Sequence, residues 1–434
     1  MNKWIVLMAL PALNSSPGFA ITQPKFSFVP KTSTSIVVPA NRHAYVQYKV
    51  TNNTAVTRTL TMQPIPHVTQ RTEDNTQCAN PFTLAPHQSC NLTLYIDGAL
   101  QETSHAGGPI VCKTYKNTNT PDPFLCSEPE SGLVLSIKPA PSVTPSVNKL
   151  YVSNWNGNSI SLCYINAAGT LEHCLESAIS STFLNPEALA ISNNVLFVAN
   201  IGGGMSSCVI DQTTGELSSC IDAADAQAPI YAPDGVAILS GTAYISDSGP
   251  EANHQGVTTC TVSDTNLINC SFTQGDADFS VPSDLAISNN TLYITNFNSQ
   301  TLQTTYCTLG SPLCTSGPGE GIVAGTSPLL NEPEGLFFAT IQGINYAYFT
   351  NHGNNTVTFC EAGSATTFSN CTTTQGYFEG FGNLAILDSS LKAFIPSGVN
   401  SLNICTVDSS NGALSDCVTS SETSFNSPSG LVFG

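Results

Sequence analysis

The sequence predicts an all-β protein, in which an N-terminal β-sandwich is followed by a six-bladed β-propeller closed by the C-terminal strand. Three observations support this fold class. Cysteine pairs recur along the last two-thirds of the chain at intervals of 45 to 53 residues, which indicates a repeated supersecondary unit. The same two short apolar strands recur in most of these intervals, and the region lacks an extended helical periodicity.

The first 20 residues are predicted to be a signal peptide. An apolar stretch over residues 4–10 follows a positively charged start, and residues 18–20 place small side chains at the cleavage subsites. A membrane anchor is the alternative, but the apolar stretch is short for a bilayer and is interrupted by Pro11 and Pro17. We therefore expect export, with cleavage near Ala20.

The charge balance limits the partners of this chain. It has 434 residues, a net charge of −18 and only 12 lysines and arginines, whereas phosphate backbones are bound through clusters of basic side chains. A polybasic membrane anchor is missing for the same reason. We therefore expect no nucleic-acid partner and no membrane insertion once the signal peptide is removed.

Sixteen cysteines predict eight disulfide bonds. Their number is even, no C-x-x-C occurs, and the paired cysteines lie 7 to 14 residues apart, so disulfides fit better than zinc. The predicted location is therefore secreted or periplasmic. The repeat-region pairs are Cys163/Cys174, Cys208/Cys220, Cys260/Cys270, Cys307/Cys314, Cys360/Cys371 and Cys405/Cys417. In the N-terminal region, Cys78/Cys90 and Cys112/Cys126 would be local bridges, and two other pairings are also possible.

The position of the repeat-region cysteines indicates outer hairpins. The midpoint of nearly every pair falls on turn residues, such as Ala168-Gly169 and Asn411-Gly412. Two cysteines equidistant from a hairpin turn are expected to stand opposite each other, at a cross-strand distance that suits a disulfide. We therefore expect each pair to be a structural link between the two outer strands of its unit.

Residues 24–138 predict the sandwich. Short strands can be recognised along this segment, and the alternation of side chains is clearest over residues 44–52. Such strands in a unit of about 115 residues suit an immunoglobulin-like sandwich. The strands are expected at 26–29, 35–39, 44–52, 58–64, 90–98 and 131–139. The proline-containing segment 139–148 is predicted to be a stiff linker.

Each repeat opens with a turn and a short apolar strand, and a second strand follows. First strands are predicted at 186–191, 233–238, 282–287, 333–338 and 381–386, the last with Phe381 where the others have proline. Second strands are predicted at 196–200, 243–247, 292–296, 346–351 and 392–397. Two more strands end near the two cysteines. Four antiparallel strands in about 48 residues indicate a propeller blade, whereas a sandwich needs about 100 residues.

The ends of the repeat region predict how the ring closes. The region starts with a second strand at 149–154 and ends with a lone first strand at 427–433. The last strand is therefore expected to complete the first blade as its innermost strand and to leave no open edge in the ring. Six blades then occupy residues 149–434.

Two resemblances to known families accompany these patterns. Residues 82–94 resemble a strand pair of bacterial ASH-type immunoglobulin-like domains, L-x-P-G-x-S-C, with His87 in place of the usual glycine. The strands LYVSN, LFVAN and LYITN, with their preceding P-x-G-L-A-I-like strands, resemble the YVTN and NHL classes of β-propeller. The hairpin at 208–217 also resembles the D-x-x-T-G-x-L hairpin of lactonase-like propellers.

These resemblances imply the two folds and leave the activity open, because such propellers include lactonases, lyases and binding modules. The chain also departs from the families in two respects. Lactonase-like and YVTN rings usually have seven blades, and neither family has a cysteine pair in every blade.

Candidate functional residues fall in two sets at one end of the predicted ring. Acidic residues begin the first strands, and asparagine or aspartate residues end the second strands, so both sets are expected around the mouth of the central channel. The first set is Glu187, Asp234, Asp284 and Glu334. The second set is Asn154, Asn200, Asp247, Asn296 and Asn351, with Trp155, Phe297 and His352 in the loops that follow.

These residues support two functional hypotheses. The preferred one is a monomeric secreted or periplasmic protein that binds a protein or a glycan through this face. The alternative is a lactonase-type hydrolase, in which Glu187, Asp234 and Glu334 hold Ca²⁺ and the metal polarises the substrate carbonyl. Six-bladed gluconolactonase-like enzymes carry a metal in a comparable place. A purely structural role is the third possibility, since Asn and Asp at strand ends commonly bond to turn backbone.

Overall fold

The computed structural model describes residues 24–72, 76–116, 118–144, 148–224, 228–249, 254–274, 279, 281–298, 304–309, 330–364, 367–374, 382–398 and 400–434. The regular structure in these residues is β, apart from single-turn 3-10 helices such as Gly98–Leu100 and His352–Asn354. The prediction of an all-β chain is therefore confirmed. The predicted signal peptide lies outside the described residues. No helix in the described ranges is long and apolar enough to cross a bilayer.

The N-terminal part contains two four-stranded sheets that share one core. Its strands are β1 (Phe26–Pro30), β2 (Ser35–Pro39), β3 (His43–Asn52), β4 (Arg58–Met62), β5 (Val68–Arg71), β6 (Phe82–Leu84), β7 (Ser89–Asp97), β8 (His105–Ala106), β9 (Val111–Thr114), β10 (Pro121–Ser127) and β11 (Ser136–Ala140). The sheet orders are β1-β3-β7-β5 and β10-β9-β4-β6, with a smaller sheet β2-β11-β8. Tyr48 and Leu94 of the first sheet and Leu60 and Val111 of the second belong to the same buried cluster.

The repeat region continues the chain with short antiparallel strands. They are β12 (Lys149–Asn154), β13 (Ser159–Ile165), β14 (Leu171–Ile179), β15 (Pro186–Ser192), β16 (Val195–Asn200), β17 (Met205–Ile210), β18 (Leu217–Asp222), β19 (Pro233–Leu239), β20 (Thr242–Ser248), β21 (Gln255–Ser263), β22 (Asn266–Gln274), β23 (Pro282–Ser288), β24 (Thr291–Asn296), β25 (Thr304–Thr308), β26 (Pro333–Ile341), β27 (Ile344–Asn351), β28 (Thr356–Ser364), β29 (Thr367–Thr374), β30 (Ala385–Leu387), β31 (Lys392–Ser397), β32 (Ser401–Val407), β33 (Leu414–Thr419) and β34 (Pro428–Phe433).

Within the described residues these strands form six sheets. Five sheets are built from consecutive strands, β15 to β18, β19 to β22, β23 to β25, β26 to β29 and β30 to β33, and the sixth has the order β14-β13-β12-β34. The last strand therefore pairs with β12, with Val152 opposite Leu431. The first strands contact one another in the order β34, β15, β19, β23, β26 and β30, and β30 also contacts β34. This arrangement is consistent with a β-propeller.

One first strand is shorter than predicted. The sequence indicates a strand over 381–386, whereas β30 covers Ala385–Leu387, and Phe381 lies outside the described residues. Gly382 has φ of 102°, a left-handed conformation that an extended strand does not contain. The next residue, Asn383, uses its side-chain oxygen to accept a hydrogen bond from the backbone of Leu431 (2.8 Å). A side chain therefore links this blade to the next at the position where strand pairing was expected.

Seven of the eight predicted disulfides lie in the described residues. Two of them, Cys78–Cys90 and Cys112–Cys126, are in the N-terminal part, where the local pairing is confirmed over its alternatives. The other five are in the repeat region: Cys163–Cys174, Cys208–Cys220, Cys260–Cys270, Cys360–Cys371 and Cys405–Cys417. Cys314, the predicted partner of Cys307, lies outside the described residues.

The geometry of the five repeat-region pairs differs from the expectation that the two cysteines stand opposite each other in register. Each pair falls where the register between the two outer strands shifts, and its Cα atoms are 4.0 to 4.1 Å apart. Equal distance from the turn is therefore not sufficient to place two residues directly across a hairpin.

The physical reason is a bulge at the second cysteine of each pair, at Cys174, Cys220, Cys270, Cys371 and Cys417. The residue before each of these cysteines has a left-handed backbone, which adds an unpaired residue to the outermost strand. These left-handed residues are His173, Ser219, Asn269, Asn370 and Asp416. The disulfides therefore cross-link bulged outer hairpins, in place of the regular ones that were expected.

A hydroxyl group on the second strand ties blades together. The Oγ of Ser153 accepts a hydrogen bond from the Gly430 amide of its own blade (2.6 Å) and donates one to the Glu187 carbonyl of the next blade (2.8 Å). The same link recurs as Gly235–Ser246–Ser283, Asp284–Thr295–Glu334 and Gly335–Thr350–Gly382. These hydroxyls fix the backbone at the positions where the predicted acids begin the first strands.

A buried ion pair joins the N-terminal part to the repeats. Arg42 is fully buried, and its Nε donates to Glu216 Oε1 at 2.6 Å. Its guanidinium group lies 4.7 Å from the ring centre of Tyr164, and Ser177 donates to the other oxygen of Glu216 (2.8 Å). The end of the predicted linker is also bound, since the amide of Asn41 donates to the Val143 carbonyl (2.7 Å). The two parts therefore pack directly on each other.

Removal of residues 428–434 tests the closure by β34. The deletion exposes an edge of β12 and takes away the neighbour of β15, so we expect it to unfold the repeat region or to make it oligomerise through the open edge. Thermal melting and light scattering coupled to gel filtration measure both effects. An unchanged melting temperature together with an unchanged molar mass would contradict this role of β34.

A point substitution provides a matched version of this test. A Cβ atom at Gly430 would lie 2.0 Å from the Glu187 carbonyl oxygen, whereas a Cβ at Gly204 meets nothing within 4 Å. We expect Gly430→Ala to lower the melting temperature strongly and Gly204→Ala to leave it almost unchanged.

Candidate functional site

The site is a cavity of about 830 Å³ at one end of the repeat region. One part of its wall comes from the residue that ends or follows each second strand. These residues are Trp155, Ile201, Ser248, Phe297, His352 and Gly398. The floor comes from the start of the first strands, at Glu187, Asp234, Ser283, Glu334 and Ser429. All six sheets of the repeat region therefore contribute to the cavity at equivalent repeat positions.

The predicted acidic set divides into two groups. Glu187, Asp234 and Glu334 line the cavity, as do Trp155 and His352. Asp284 lies one position further along its strand and borders a small void instead. Its carboxylate accepts hydrogen bonds from the backbone amides of Leu285 (2.8 Å) and Leu336 (2.9 Å). Asp284 therefore joins two neighbouring blades.

The residues that end the second strands lie inside the blades and do not line the cavity. Asn351 is representative, because its Oδ1 accepts from the Asn331 amide (3.1 Å) and its side-chain nitrogen donates to Thr358 (2.9 Å). Equivalent contacts are made by Asn154 with Asn426 and Ser161, by Asn200 with Leu184 and Ser206, and by Asp247 with Tyr231 and Thr258. Asn296 contacts Thr305 in the same way (2.8 Å). These side chains hold the loops that precede the first strands, and we leave them out of the proposed site.

The three cavity acids are buried at the floor. Glu187 and Asp234 are each 8% exposed, and the hydroxyl of Ser429 donates to Glu187 Oε1. The side chain of Glu334 is 13% exposed, and its Oε2 lies 3.7 Å from Nδ1 of His352. That oxygen is buried and makes no hydrogen bond among the described residues. Glu334 therefore has one carboxylate oxygen whose hydrogen-bonding capacity is not used among the described residues.

Burial raises the pKa of each of these acids. The pKa of Glu187 rises to about 8, because burial and the neighbouring charge of Asp234 both oppose ionisation. Burial raises the pKa of Asp234 to about 7, and Asp247 adds to the effect. Burial, followed by the charges of Glu187 and Asp234, holds the pKa of Glu334 well above its usual value. The acids therefore interact with one another, and protonated members can act as hydrogen-bond donors near neutral pH.

Aromatic residues also line the cavity. Trp155 remains 37% exposed, and the rings of Phe297 and His352 lie 5.4 Å apart. The wall at Trp155 is held by the loop before β34, since the Trp155 amide donates to the Ser427 carbonyl (2.9 Å). The N-terminal part supports the same loop, because Asn426 donates to the Lys31 carbonyl (2.6 Å). The packing of the N-terminal part against the repeat region therefore helps to set the shape of the cavity.

The expected Ca²⁺ site does not have the necessary geometry. In the part of the chain that the structure describes, no three His, Cys, Asp or Glu side chains are grouped closely enough to hold a metal ion. Glu187, Asp234 and Glu334 share a cavity but do not form such a group. These residues therefore do not fit the metal that the hydrolase hypothesis requires.

Some lining residues were not among the predicted site residues, although the repeat could have indicated them. Ile201 and Ser248 occupy the same repeat position as Trp155, Phe297 and His352. Ser429 occupies the same position as Glu187 and Asp234. Alignment of the six repeats by position, without regard to residue type, would have placed all of them at the cavity.

The sequence matches no family model and no curated protein. Solved structures resemble it at low identity. A putative 6-phosphogluconolactonase from Bacteroides fragilis is 15% identical, with 68% of this chain and 100% of that chain covered and a TM-score of 0.45. The periplasmic gluconolactonase of Pseudomonas aeruginosa is 14% identical, with 66% of this chain and 98% of that chain covered and a TM-score of 0.43. A protein from Lactobacillus plantarum is 16% identical, with 66% of this chain and 99% of that chain covered and a TM-score of 0.44. These neighbours include lactonase-like folds, and no activity of this chain follows from them.

The raised pKa values predict how stability changes with pH. In the unfolded chain these acids lose their protons near pH 4, whereas the folded protein keeps them up to about pH 7 to 8. The folded state therefore binds more protons across this window, and stability falls as pH rises through it. We expect the melting temperature to decrease from about pH 5 to about pH 8.5.

Substitution of one acid should reduce that slope. Glu187→Gln removes one titrating group and keeps an oxygen that can accept from Ser429, so its stability relative to wild type should increase as pH rises. Glu102→Gln, at an exposed position of the N-terminal part, is the control and should keep the wild-type slope. Equal slopes for wild type and Glu187→Gln would contradict the assigned pKa of Glu187.

Proposed function

We propose that this chain is a secreted or periplasmic protein that binds a glycan in the 830 Å³ cavity. In this proposal, residues 149–434 form a six-bladed β-propeller and residues 24–138 an immunoglobulin-like domain that supports it. Seven disulfides in the described residues fit an extracellular or periplasmic location. A signal peptide at residues 1–20 would direct the export.

The observation that supports binding is the composition of the cavity. Its volume falls within the range of about 300 to 1,000 Å³ that is usual for small-ligand sites. Trp155 and Phe297 supply flat apolar surfaces, and Glu187, Asp234 and Glu334 supply hydrogen-bonding groups. A sugar ring has an apolar face of C–H groups and a rim of hydroxyl groups, so it complements both. A concave site of this kind favours a sugar over the broad surface of a protein partner.

A hydrolase is the weaker proposal. The lactonase-type reaction expected from the sequence depends on a metal that polarises the substrate carbonyl. Since the acids present do not form a metal-binding group in the described residues, the cavity supports binding better than this chemistry. We therefore propose Trp155 and the three acids as ligand-binding residues.

Trp155 offers the direct test of this proposal. The purified protein should bind members of a glycan array, and Trp155→Ala should weaken the binding by at least about tenfold, because loss of an aromatic anchor at the centre of a binding site typically costs about 2 kcal/mol or more. Isothermal titration with the bound glycan gives the dissociation constants.

Phe124→Ala is the matched control, since Phe124 is an aromatic residue of the N-terminal part that is 87% exposed. It should bind like wild type. Glycan binding that is insensitive to Trp155→Ala would place the binding elsewhere on the molecule. An absence of glycan binding would refute the proposal.

A further inference from the structure

The cavity has acidic groups without basic partners. Three of its described lining residues are carboxylic acids, and none of the described lining residues is lysine or arginine. His352 is the nearest basic side chain that lines it, with Nδ1 3.7 Å from Glu334. Buried carboxylates without a positive partner are costly to ionise. A ligand that brings a positive charge to this floor would remove that cost.

The floor also has an uncompensated carboxyl group. One oxygen of Glu187 accepts from Ser429. In contrast, Oε2 of Glu334 is buried and makes no hydrogen bond among the described residues. An opposite charge nearby favours the ionised form of a buried carboxyl group. A positive charge in the cavity would therefore stabilise the carboxylate of Glu334.

The rest of the cavity indicates an organic cation. The described acids do not form a metal-binding group, and a volume of about 830 Å³ is far larger than a bare ion requires. Trp155, at 37% exposure, presents a ring at the wall, and aromatic faces attract organic ammonium groups. A larger ligand that is partly apolar and carries a cationic group would place its charge near the acids of the floor and its apolar part against Trp155.

We propose that the sugar bound in this cavity carries a free ammonium group, which is held by Glu187, Asp234 and Glu334 while Trp155 stacks on the sugar ring. This inference rests on the proposed function, because it names the class of glycan that the same cavity takes: an amino sugar whose amine is not acetylated. Acetylation would remove the charge and leave the three acids without a positive partner.

Three tetrasaccharides test the inference, because they share one backbone linkage and differ in a single substituent. The chitosan tetrasaccharide carries amines, the chitin tetrasaccharide carries acetamides, and the cellulose tetrasaccharide carries hydroxyls. By isothermal titration of the full-length protein at about pH 5.5, which is low enough to protonate most of the weakly basic amines of these sugar rings, we expect the chitosan form to bind at least about tenfold more tightly than the other two.

A second readout is the release of protons. The bound ammonium group stabilises ionised acids, so binding of the chitosan form should expel protons from the cavity. The measured enthalpy should then depend on the ionisation enthalpy of the buffer. Binding of the cellulose form should show much less of this dependence.

Two variants test whether the acids at the floor cause the preference for the chitosan tetrasaccharide. Glu334→Gln should reduce the preference for the chitosan form, with little effect on cellulose binding. Glu361→Gln, at the outer side of the same blade where its carboxylate accepts from Asn370 (2.9 Å), should keep the preference.

The outcomes separate the two proposals. Equal binding of all three tetrasaccharides, weakened by Trp155→Ala, would overturn the ammonium inference and support a glycan site. Tighter binding of the acetylated form would have the same meaning. If none of the three binds while other glycans on the array do so through Trp155, the inference is also overturned and the proposed function stands. Binding to no glycan at all would overturn both.

Discussion

The close approach of the first strands around the axis is the constraint on which the rest of the structure depends. A Cβ at Gly335 would lie 2.4 Å from the Cα of Asn383, and one at Gly430 would lie 2.0 Å from the Glu187 carbonyl. The second-strand hydroxyls bridge these strands, as Thr350 does to Gly382 (2.7 Å). Strands packed this tightly exclude water from the acids that begin them. The burial of those acids, their raised pKa values and the chemistry of the cavity all follow from this packing.

The walls of the cavity depend on a second set of contacts, farther from the axis. The loop before β34 holds Trp155 through Ser427 and is itself held by Asn154 (3.0 Å) and by the Lys31 carbonyl. The strand-end asparagines thus contribute to the site indirectly, because they fix the loops that hold the wall residues in place. Their burial allows this role because a buried amide must satisfy its hydrogen bonds within the protein. The N-terminal part contributes in a similar way through its contact with that loop.

The repeat pattern was sufficient to predict most strands of the repeat region, its five disulfide pairs within the described residues and six of the residues that line the cavity. It could not show the direction of side chains at the strand ends. Adjacent residues of a strand point to opposite sides, so Asn154 enters the blade while Trp155 reaches the cavity, and residue type alone does not distinguish them. The left-handed Gly382 that shortens β30, and the Glu334 oxygen without a hydrogen bond among the described residues, depend on contacts with other blades. Such contacts are visible only once the strands have been placed together in space.

The bulged, disulfide-linked outer hairpins have a consequence for how the protein meets other molecules. In the described residues, the outermost strand of a sheet has one side that pairs with no further strand of that sheet, and a flat unpaired edge is a template on which strands of another molecule can add. A bulge bends the strand and interrupts the regular spacing of its amides, and the cross-link at Cys405–Cys417 and its counterparts prevents the bend from straightening. The first blade has a further protection, because β14 packs against β3 of the N-terminal part. In a chain with so few charged side chains, 10% of the total, the shape of the edges thus opposes edge-to-edge aggregation.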